Sequence, residues 1–392
     1  MSIQDTKKLL LKRRLLNKLG LERYISLPQL ALEKIKRAVD HDTLNVYFRY
    51  QHFNLDLHPW FKRYYKYPPI KYCNFNQANI YHWISYPEIM NNKPFIVEPN
   101  DHPLSVVGAL KGGFSEPKDY IKNSQKAIDL VYLNPNCKKI VVESTGQWEL
   151  FEKYCPEVLH KCEIIRLGTQ PKLLNGKLDK SKESLTFLCL ASDFQKKGVD
   201  LLLDAWFNFP DRMKHKLIIA CPNIPNIYKE RSKGENINII LKAPLSDLEK
   251  AELHINADVV IGPLHIDGGA NLFEAMEYGL PIITMRCQRS KDQVMNNNGI
   301  IVDVPFYFYD EGYGVDWPTW DSFYNLLEEA KSKGEFDKTK QGFINAFTFF
   351  SENPDKISKM SKGSYDLATN EYSLNKRNQR LKEIYHEILP TN

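Results

Sequence analysis

The sequence lacks the long apolar runs and paired cysteines that would indicate a membrane or extracellular protein. No apolar run approaches the roughly 20 residues of a membrane-spanning helix, and the first 20 residues carry charge throughout, so neither a spanning segment nor a secretory signal fits. The seven cysteines are odd in number and form no C-x-x-C pair, which predicts reduced thiols and no zinc site. We therefore expect a cytoplasmic protein.

A large excess of charge of one sign is also missing. The 53 Lys and Arg residues against 48 Asp and Glu residues leave a net charge of +5, too small to indicate a nucleic-acid-binding protein. The chain does have 392 residues, 43% of them hydrophobic and 26% charged. This is the composition of a globular protein with enough chain for two domains.

The N-terminal segment 5–19 carries leucines at helical spacing with basic residues outside the stripe, which predicts a basic helix. Such a helix permits peripheral contact with an anionic membrane at its inner face. The alternative is a terminal helix packed on its own domain with a solvated basic face. The lysines that interrupt the stripe favour this alternative.

Short apolar strands alternate with helical stretches, which predicts an α/β fold with mostly parallel sheets. A segment rich in Lys, Gly and Asp, 166–183, is predicted to link two Rossmann-like domains, 1–165 and 184–365, with a closing helical segment at 366–392. The predicted strands are 43–50, 78–84, 93–99, 138–144, 184–192, 215–222, 237–244, 257–263 and 280–285. The predicted helices are 26–40, which begins with a capping-box pattern, and 117–130, 199–209, 246–256, 270–279, 320–333, 340–351 and 373–389.

The first informative junction, 188–206, is a strand, a polar loop and an amphipathic helix opened by Gly198. Unpaired backbone N–H groups at a helix start, together with Lys196 or Lys197, favour a bound diphosphate. The alternative is an ordinary strand-to-helix turn, because a Lys-Gly pair is common at helix starts.

The second junction, 259–285, combines a buried strand, a glycine-bearing loop and a short helix. Gly268 and Gly269 let the backbone approach a ligand, and the helix that starts near Asn271 offers N–H groups to a phosphate. One turn in, Glu274 is placed to accept hydrogen bonds from both hydroxyls of a ribose. The alternative for Glu274 is an exposed first-turn glutamate that stabilises the helix dipole.

Together the two junctions resemble the donor site of glycosyltransferase family 4, the retaining nucleotide-sugar transferases of GT-B fold, over most of residues 180–390. The resemblance implies that Lys197, in SDFQKKGVDLLLDAW, binds the donor diphosphate. It implies that Glu274, in EAMEYGLPII, binds the donor ribose. It also implies that the closing helix, EIYHEIL, crosses back to the N-terminal domain of two domains that face each other across a cleft.

The sequence departs from the family pattern at several places, and two of them concern the predicted donor-binding residues. Ala191-Ser192 stands where the family commonly has Gly-Arg, so a phosphate-binding arginine is missing there, and phosphate affinity is expected either to be weaker or to come from Lys196. The position eight before Glu274 is Ile266, and the nearest acid is Asp267. Either a one-residue loop shift lets Asp267 meet the donor-sugar hydroxyls, or that contact is lost. The other predicted donor-binding residues are Ser192, Lys196, Gly268, Gly269, Ala270, Asn271, Lys242 and Leu245.

The acceptor side is predicted from strand ends of the N-terminal half. KPFIVEPNDHP resembles the family's strand that delivers a polar residue or histidine to the cleft, which places Asn100 there, with Asp101 and His102 next. Ser144 and Thr145 follow another strand and are similarly placed to touch an acceptor. The alternatives are a loop histidine without a chemical role and a turn in which Ser144 or Thr145 caps a helix.

Metal binding is predicted to be absent. Asp40-His41-Asp42 is the D-x-D pattern with which other glycosyltransferases bind Mn²⁺, but it lies between a helix and a strand start, where a turn is the better interpretation. We therefore expect an enzyme without metal or cofactor, with a nucleotide sugar as substrate.

The expected function is retaining transfer of a sugar from a nucleotide sugar to a glycan or lipid-linked acceptor, in surface polysaccharide assembly. One alternative is a catalytically decayed GT-B protein that serves as a binding or scaffold subunit of a glycan-assembly complex. The missing arginine and the displaced acid support it. A more distant alternative is a sugar-nucleotide epimerase, which needs no acceptor.

Overall fold

The computed structural model describes most of the chain from residue 93 onward and three short strand segments before it. The described residues are 45–49, 71–72, 80–84, 93–99, 102–107, 114–172, 183–242, 245–266, 269–295, 297–313 and 319–389.

Within the described residues, the first sheet has six strands, all parallel. They are β1 (Asn45–Arg49), β2 (Lys71–Tyr72), β3 (Ile80–Ile84), β4 (Phe95–Glu98), β5 (Cys137–Val142) and β6 (Cys162–Ile164). Their order in the sheet is β2-β1-β3-β4-β5-β6. β4 is buried along its whole length, as expected of a parallel strand with both faces covered. The strands predicted at 43–50, 78–84, 93–99 and 138–144 are confirmed.

Helical segments follow β4 and β5. They are α1 (Pro117–Lys122), α2 (Ser124–Ala127), a π-helical turn at Ile128–Tyr132, α3 (Thr145–Tyr154) and a 3₁₀ turn at Pro156–Lys161. The helix predicted at 117–130 is therefore two short helices, which divide at Asn123.

The second sheet is also six-stranded and parallel. Its strands are β7 (Thr186–Leu190), β8 (Lys216–Ala220), β9 (Ile237–Ile240), β10 (Val259–Gly262), β11 (Ile282–Met285) and β12 (Gly299–Val302). They lie in the order β12-β11-β10-β7-β8-β9, so the strand order reverses direction between β7 and β10. Ligands of open α/β sheets bind outside the carboxyl ends of the strands at such a switch point.

Five helices connect these strands within the described residues. They are α4 (Val199–Asn208), α5 (Asn226–Arg231), α6 (Asp247–Asn256), α7 (Ala270–Glu277) and α8 (Ser290–Gln293). The predicted strands of this half and the helices at 199–209, 246–256 and 270–279 are confirmed. The sequence pattern does not predict β12, α5 or α8.

Four helices follow in the described part of the C-terminal half: α9 (Trp320–Ser332), α10 (Asp337–Glu352), α11 (Pro354–Asn370) and α12 (Leu374–Ile388). The helices predicted at 320–333, 340–351 and 373–389 are confirmed, although α10 begins at Asp337. The sequence pattern misses α11, a helix that contains Gly363.

Aromatic side chains form much of the core around the second sheet. The rings of Phe187 in β7 and Trp206 in α4 meet edge to face with centroids 5.6 Å apart, and Phe347 of α10 meets Trp206 at 5.3 Å. These three residues are fully buried. The packing of α10 and α4 against β7 fixes the strand whose carboxyl end carries the first junction.

Helix α12 contacts the first sheet through buried polar groups. His82 Nδ1 lies 2.6 Å from the Tyr385 hydroxyl, and His82 Nε2 lies 3.1 Å from Glu98 Oε2. Arg377 of α12 forms an ion pair with Glu98. Helix α12 thus joins the C-terminal half of the chain to β3 and β4 of the first sheet. The predicted domain limits stay predictions, and the predicted helix at 26–40 and residues 173–182 of the predicted linker lie outside the described part.

Candidate active site

The loop between β7 and α4 lies against the carboxyl end of β10. Gly198 has a left-handed backbone, with φ of 62°, and a Cβ there would lie 2.1 Å from the Pro263 carbonyl oxygen. Glycine alone fits both this backbone conformation and this short distance without displacing one of the two loops. Gly198 therefore lets the first junction contact the second.

Lys197 lies where these two loops meet. Its side chain is buried, and Nζ lies 3.4 Å from the Ile266 carbonyl oxygen. A second contact joins the same loops, because Asn271 Nδ2 donates to the Leu190 carbonyl at 3.1 Å. A buried ammonium at the end of β7 is a preorganised site for negative charge.

The start of α4 does not offer the free N–H groups that the sequence predicts there. Gly198 N donates to the Gln195 carbonyl and Val199 N to the Phe194 carbonyl, both at 2.9 Å. The buried Asp200 carboxylate, ion-paired with Lys331, also lies in this first turn. Attraction for an anion at this junction therefore depends on Lys197, and the expectation of open N–H groups at α4 is wrong.

The start of α7 is arranged differently. The N-cap residue is Gly269, without a side-chain cap, and no acidic side chain lies in the first turn. Asn271 turns its amide toward β7, and Ala270 is the first helical residue. The positive end of the α7 dipole is therefore available to an anion.

Glu274 is half-buried rather than exposed, with 17% of its side chain accessible. Its Oε1 lies 3.2 Å from Nζ of Lys250, a residue of α6 with 22% of its side chain accessible. The exposed first-turn glutamate considered as an alternative does not describe this side chain. Lys250 was not predicted from the sequence, although Ser246 and Glu249 show the capping-box spacing that places it in the first turn of α6.

The segment before α6 carries the other predicted pocket residues. Lys242 is exposed, and its Nζ pairs with Glu249 Oε1 at 2.5 Å. Leu245 is half-buried beside the capping box of α6. Two ion pairs thus involve adjacent residues of α6: Glu249 pairs with Lys242, and Lys250 pairs with Glu274.

The side chains of Lys196 and Ser192 have other surroundings than that of Lys197. The Lys196 ammonium sits over the Trp320 ring, 3.3 Å from its centroid, a cation–π contact. Ser192 is exposed. Asp267 and Gly268, the remaining predicted donor residues, lie outside the described residues.

Comparisons with known proteins show what the chain is similar to. The family model of glycosyl transferases group 1 matches residues 172–311, the stretch that contains Lys197 and Glu274. The glycosyltransferase WaaG, described as involved in lipopolysaccharide biosynthesis, is similar at a TM-score of 0.54 and 15% identity, over 81% of this chain and 79% of that one. A glycosyltransferase from Rickettsia africae ESF-5 has a TM-score of 0.55 and 16% identity, over 81% of this chain and 78% of that one.

A third structure, Anabaena HepE in complex with UDP, has a TM-score of 0.54 and 12% identity and covers 79% of each chain. The fold is GT-B. A search of curated proteins gives no match. At these sequence identities the similarity is one of fold. Membership of glycosyltransferase family 4, which the sequence led us to expect, is a proposal.

On the N-terminal side of the GT-B fold, His102 is enclosed. Only 1% of it is exposed, its ring centroid lies 4.9 Å from that of Tyr154, and Leu104 N donates to its Nδ1 at 3.1 Å. Burial lowers the pKa of His102 to about 3, so the imidazole is neutral. A role in proton transfer requires a movement that opens this site, and the acceptor role of His102 stays a prediction. Asn100 and Asp101 lie outside the described residues.

Ser144 and Thr145 have structural contacts instead of an open face toward the cleft. Ser144 Oγ accepts from Gln147 N at 3.0 Å and caps α3. Thr145 donates through N and Oγ1 to Asp292 at 2.9 and 2.7 Å, and Asp292 also accepts from Arg166 at 2.7 Å. The capping alternative describes Ser144, and Thr145 connects the two halves of the molecule.

The structure also bears on metal and membrane binding. Among the described residues, no group of three or more His, Cys, Asp or Glu side chains is placed to hold a metal ion. In the same part of the chain, no helix has the length and apolar character needed to cross a bilayer. The D-x-D sequence at 40–42 and the basic segment 5–19 lie outside the described residues.

Proposed function

We propose that the chain is a retaining glycosyltransferase that moves a sugar from a nucleotide-diphosphate sugar to a glycan or lipid-linked acceptor. The observation that carries the proposal concerns the carboxyl ends of β7 and β10, where the loop with the buried Lys197 is held against the loop that leads into α7, the helix with the half-buried Glu274. The matched stretch 172–311 contains both residues.

The chemistry follows from the charges. As the bond between the anomeric carbon and the diphosphate oxygen breaks, negative charge grows on the leaving diphosphate, and the Lys197 ammonium with the α7 dipole would stabilise it. The acceptor oxygen attacks on the same face of the sugar, and its proton passes to the leaving phosphate. No protein nucleophile and no metal ion enters this scheme. Glu274 would accept hydrogen bonds from the two ribose hydroxyls.

The neighbours suggest where to look for substrates. HepE has been observed with UDP, and WaaG is described as involved in lipopolysaccharide biosynthesis. A uridine-diphosphate sugar is therefore the first donor to test, and surface polysaccharide assembly is the proposed pathway. The cytoplasmic location and the membrane contact through 5–19 remain predictions.

A second candidate is a decayed GT-B protein that binds partners in a glycan-assembly complex. It is favoured by the position of Lys196 on Trp320, because Lys196 was the predicted substitute for the arginine missing at Ser192. The two candidates differ in donor binding: the enzyme binds a nucleotide sugar, whereas the decayed protein has lost that binding.

Thermal unfolding against a panel of nucleotide sugars and free nucleotides tests the proposal. A ligand that binds only the folded state raises the midpoint by mass action, so we expect one nucleotide sugar to stabilise the wild type and Glu274→Ala to lose that shift. Glu329→Ala, which removes an exposed helix glutamate, serves as the control and should keep the shift. If no nucleotide stabilises the wild type at millimolar concentration, the enzyme proposal fails and the scaffold candidate takes its place.

A further inference from the structure

Helices α6 and α7 contact each other through a second pair of side chains beside the Lys250–Glu274 ion pair. The His254 ring of α6 lies parallel to the ring of Tyr278, the C-cap residue of α7, with the centroids 5.0 Å apart and an angle of 8° between the planes. Tyr278 follows Glu274 by four residues, and His254 follows Lys250 by four residues. Residues four apart are neighbours on one helix face, so the stacked rings lie one turn from the ion pair.

The His254 ring is enclosed and held in one orientation. It is 1% exposed, and its Nδ1 lies 2.7 Å from the backbone carbonyl oxygen of Lys250. A carbonyl oxygen only accepts, so Nδ1 carries the hydrogen and donates it. Burial lowers the pKa of His254, so the ring is neutral. The imidazole is therefore fixed by the backbone of the same residue whose side chain pairs with Glu274.

A further contact of Tyr278 comes from the start of the predicted linker. Lys172 Nζ lies 4.5 Å from the centroid of the Tyr278 ring, a cation–π contact. The same ammonium lies 3.4 Å from Glu277 Oε2, and Lys172 N donates to the Glu277 carbonyl at 2.7 Å. The end of α7 is thus attached both to α6 and to the start of the predicted linker.

These contacts lie on the face of α7 that carries Glu274. The helix has only eight residues, so its position depends on packing. Leu272 and Phe273 are fully buried and hold it to the core, whereas Glu274 and Tyr278 are half-buried. A group that binds a ligand through hydrogen bonds must be held to within about 0.5 Å of its productive position. The contacts of Tyr278 are placed to supply this precision one turn from the carboxylate.

We infer that His254, Tyr278 and Lys172 are positioning residues for donor binding. They hold the end of α7 against α6 and thereby keep the Glu274 carboxylate in the orientation that accepts the two ribose hydroxyls. The inference rests on the proposed function, because it takes Glu274 as the ribose-binding residue. It also gives Lys172, a residue of the predicted linker, a part in nucleotide binding.

Isothermal titration of the full chain with UDP and 2′-deoxy-UDP tests the inference. Tyr278→Ala removes the ring that His254 and Lys172 both contact, and it should weaken UDP binding about three- to tenfold, as expected for the loss of an aromatic contact. The loss should be smaller for 2′-deoxy-UDP, because that ligand has one hydroxyl fewer for the Glu274 carboxylate to accept from. Tyr278→Phe keeps the ring and should bind both nucleotides nearly as the wild type does.

A second variant covers the case in which Tyr278→Ala lowers the stability of the fold. Lys172 has 51% of its side chain accessible, so Lys172→Met leaves the core intact. It should weaken UDP binding roughly two- to threefold, again less for 2′-deoxy-UDP. Lys172→Arg keeps a cation over the ring and should keep the wild-type affinity. Tyr365→Ala, which removes a half-buried tyrosine of α11, is the matched control and should leave both affinities unchanged.

Two results overturn the inference while the proposed function stands. Tyr278→Ala binds UDP as tightly as the wild type does, or it loses the same factor for UDP and 2′-deoxy-UDP. Equal loss is what a contact that only stabilises the fold would give. If the wild type itself binds no UDP, the proposed donor is contradicted and the inference fails with it, so the two failures are distinguishable.

Discussion

At the residue scale, the donor site contains one lysine that was predicted and one that was not. Lys197 is identified by its place before Gly198, whereas Lys250 comes to Glu274 from a different helix. Because the Lys250–Glu274 pair is largely shielded from solvent, its attraction is screened less than that of a surface pair. We expect Lys250 to hold the Glu274 carboxylate in the orientation that accepts the ribose hydroxyls.

Lys250→Met should therefore weaken UDP binding by roughly three- to tenfold, which corresponds to about 0.7–1.4 kcal/mol. The loss should be smaller for 2′-deoxy-UDP, which has one ribose hydroxyl fewer for the carboxylate to accept from. Isothermal titration of both ligands with both proteins measures this difference. Lys333→Met, which breaks an exposed pair with Glu329, is the matched control and should leave both affinities unchanged.

Two results of that titration contradict the assignment of Lys250. The variant could bind UDP as well as the wild type does, or it could lose the same factor for UDP and 2′-deoxy-UDP. The second outcome would mean that Lys250 acts elsewhere on the nucleotide and not through the carboxylate of Glu274.

At the element scale, helix α12 is anchored to the first sheet by one buried arginine. Arg377 Nη1 donates to the carbonyls of Ile165 and Arg166 at 2.8 and 3.1 Å, and Nη2 forms an ion pair with Glu98. Burial by itself raises the pKa of Glu98, but Arg377 and His82 reverse this, so its pKa lies below the ordinary value. The Glu98 carboxylate is therefore charged while fully buried, and Arg377 and His82 stabilise that charge.

Arg377→Met should destabilise the protein by about 3–5 kcal/mol, because it leaves the Glu98 carboxylate buried without its cation. Urea unfolding followed by circular dichroism measures the loss. Arg380→Met removes an arginine one turn further along the same helix, where the pair with Glu163 is partly exposed, and should cost much less. Equal losses for the two variants would show that the Glu98 site is not the anchor of α12.

At the scale of the whole molecule, the sequence predicts the alternation of the GT-B fold well and its long-range contacts poorly. Strands such as β4 and β10 are short apolar runs whose pattern is local, so periodicity finds them. Helix α11 is missed because its sequence, PDKISKMSKGSYDLATN, is polar and contains a glycine in its interior.

In the candidate site, too, residues in local motifs are predictable from the sequence and long-range contacts are not. Lys197 and Glu274 are recognisable because each belongs to a short local motif. The pairing of Lys250 with Glu274 and of Arg166 with Asp292 joins distant parts of the chain, and no local pattern specifies it. For Ser144 the sequence left an acceptor-binding and a capping interpretation open, and the position of Gln147 N decides for the cap.

The central claim is that the carboxyl ends of β7 and β10 form the nucleotide-sugar site, and a crystal structure of the protein with UDP tests it most directly. The account predicts the diphosphate beside Lys197 Nζ and the start of α7, with the ribose hydroxyls within hydrogen-bonding distance of the Glu274 carboxylate. A nucleotide bound elsewhere, with Lys197 and Glu274 untouched, would contradict it.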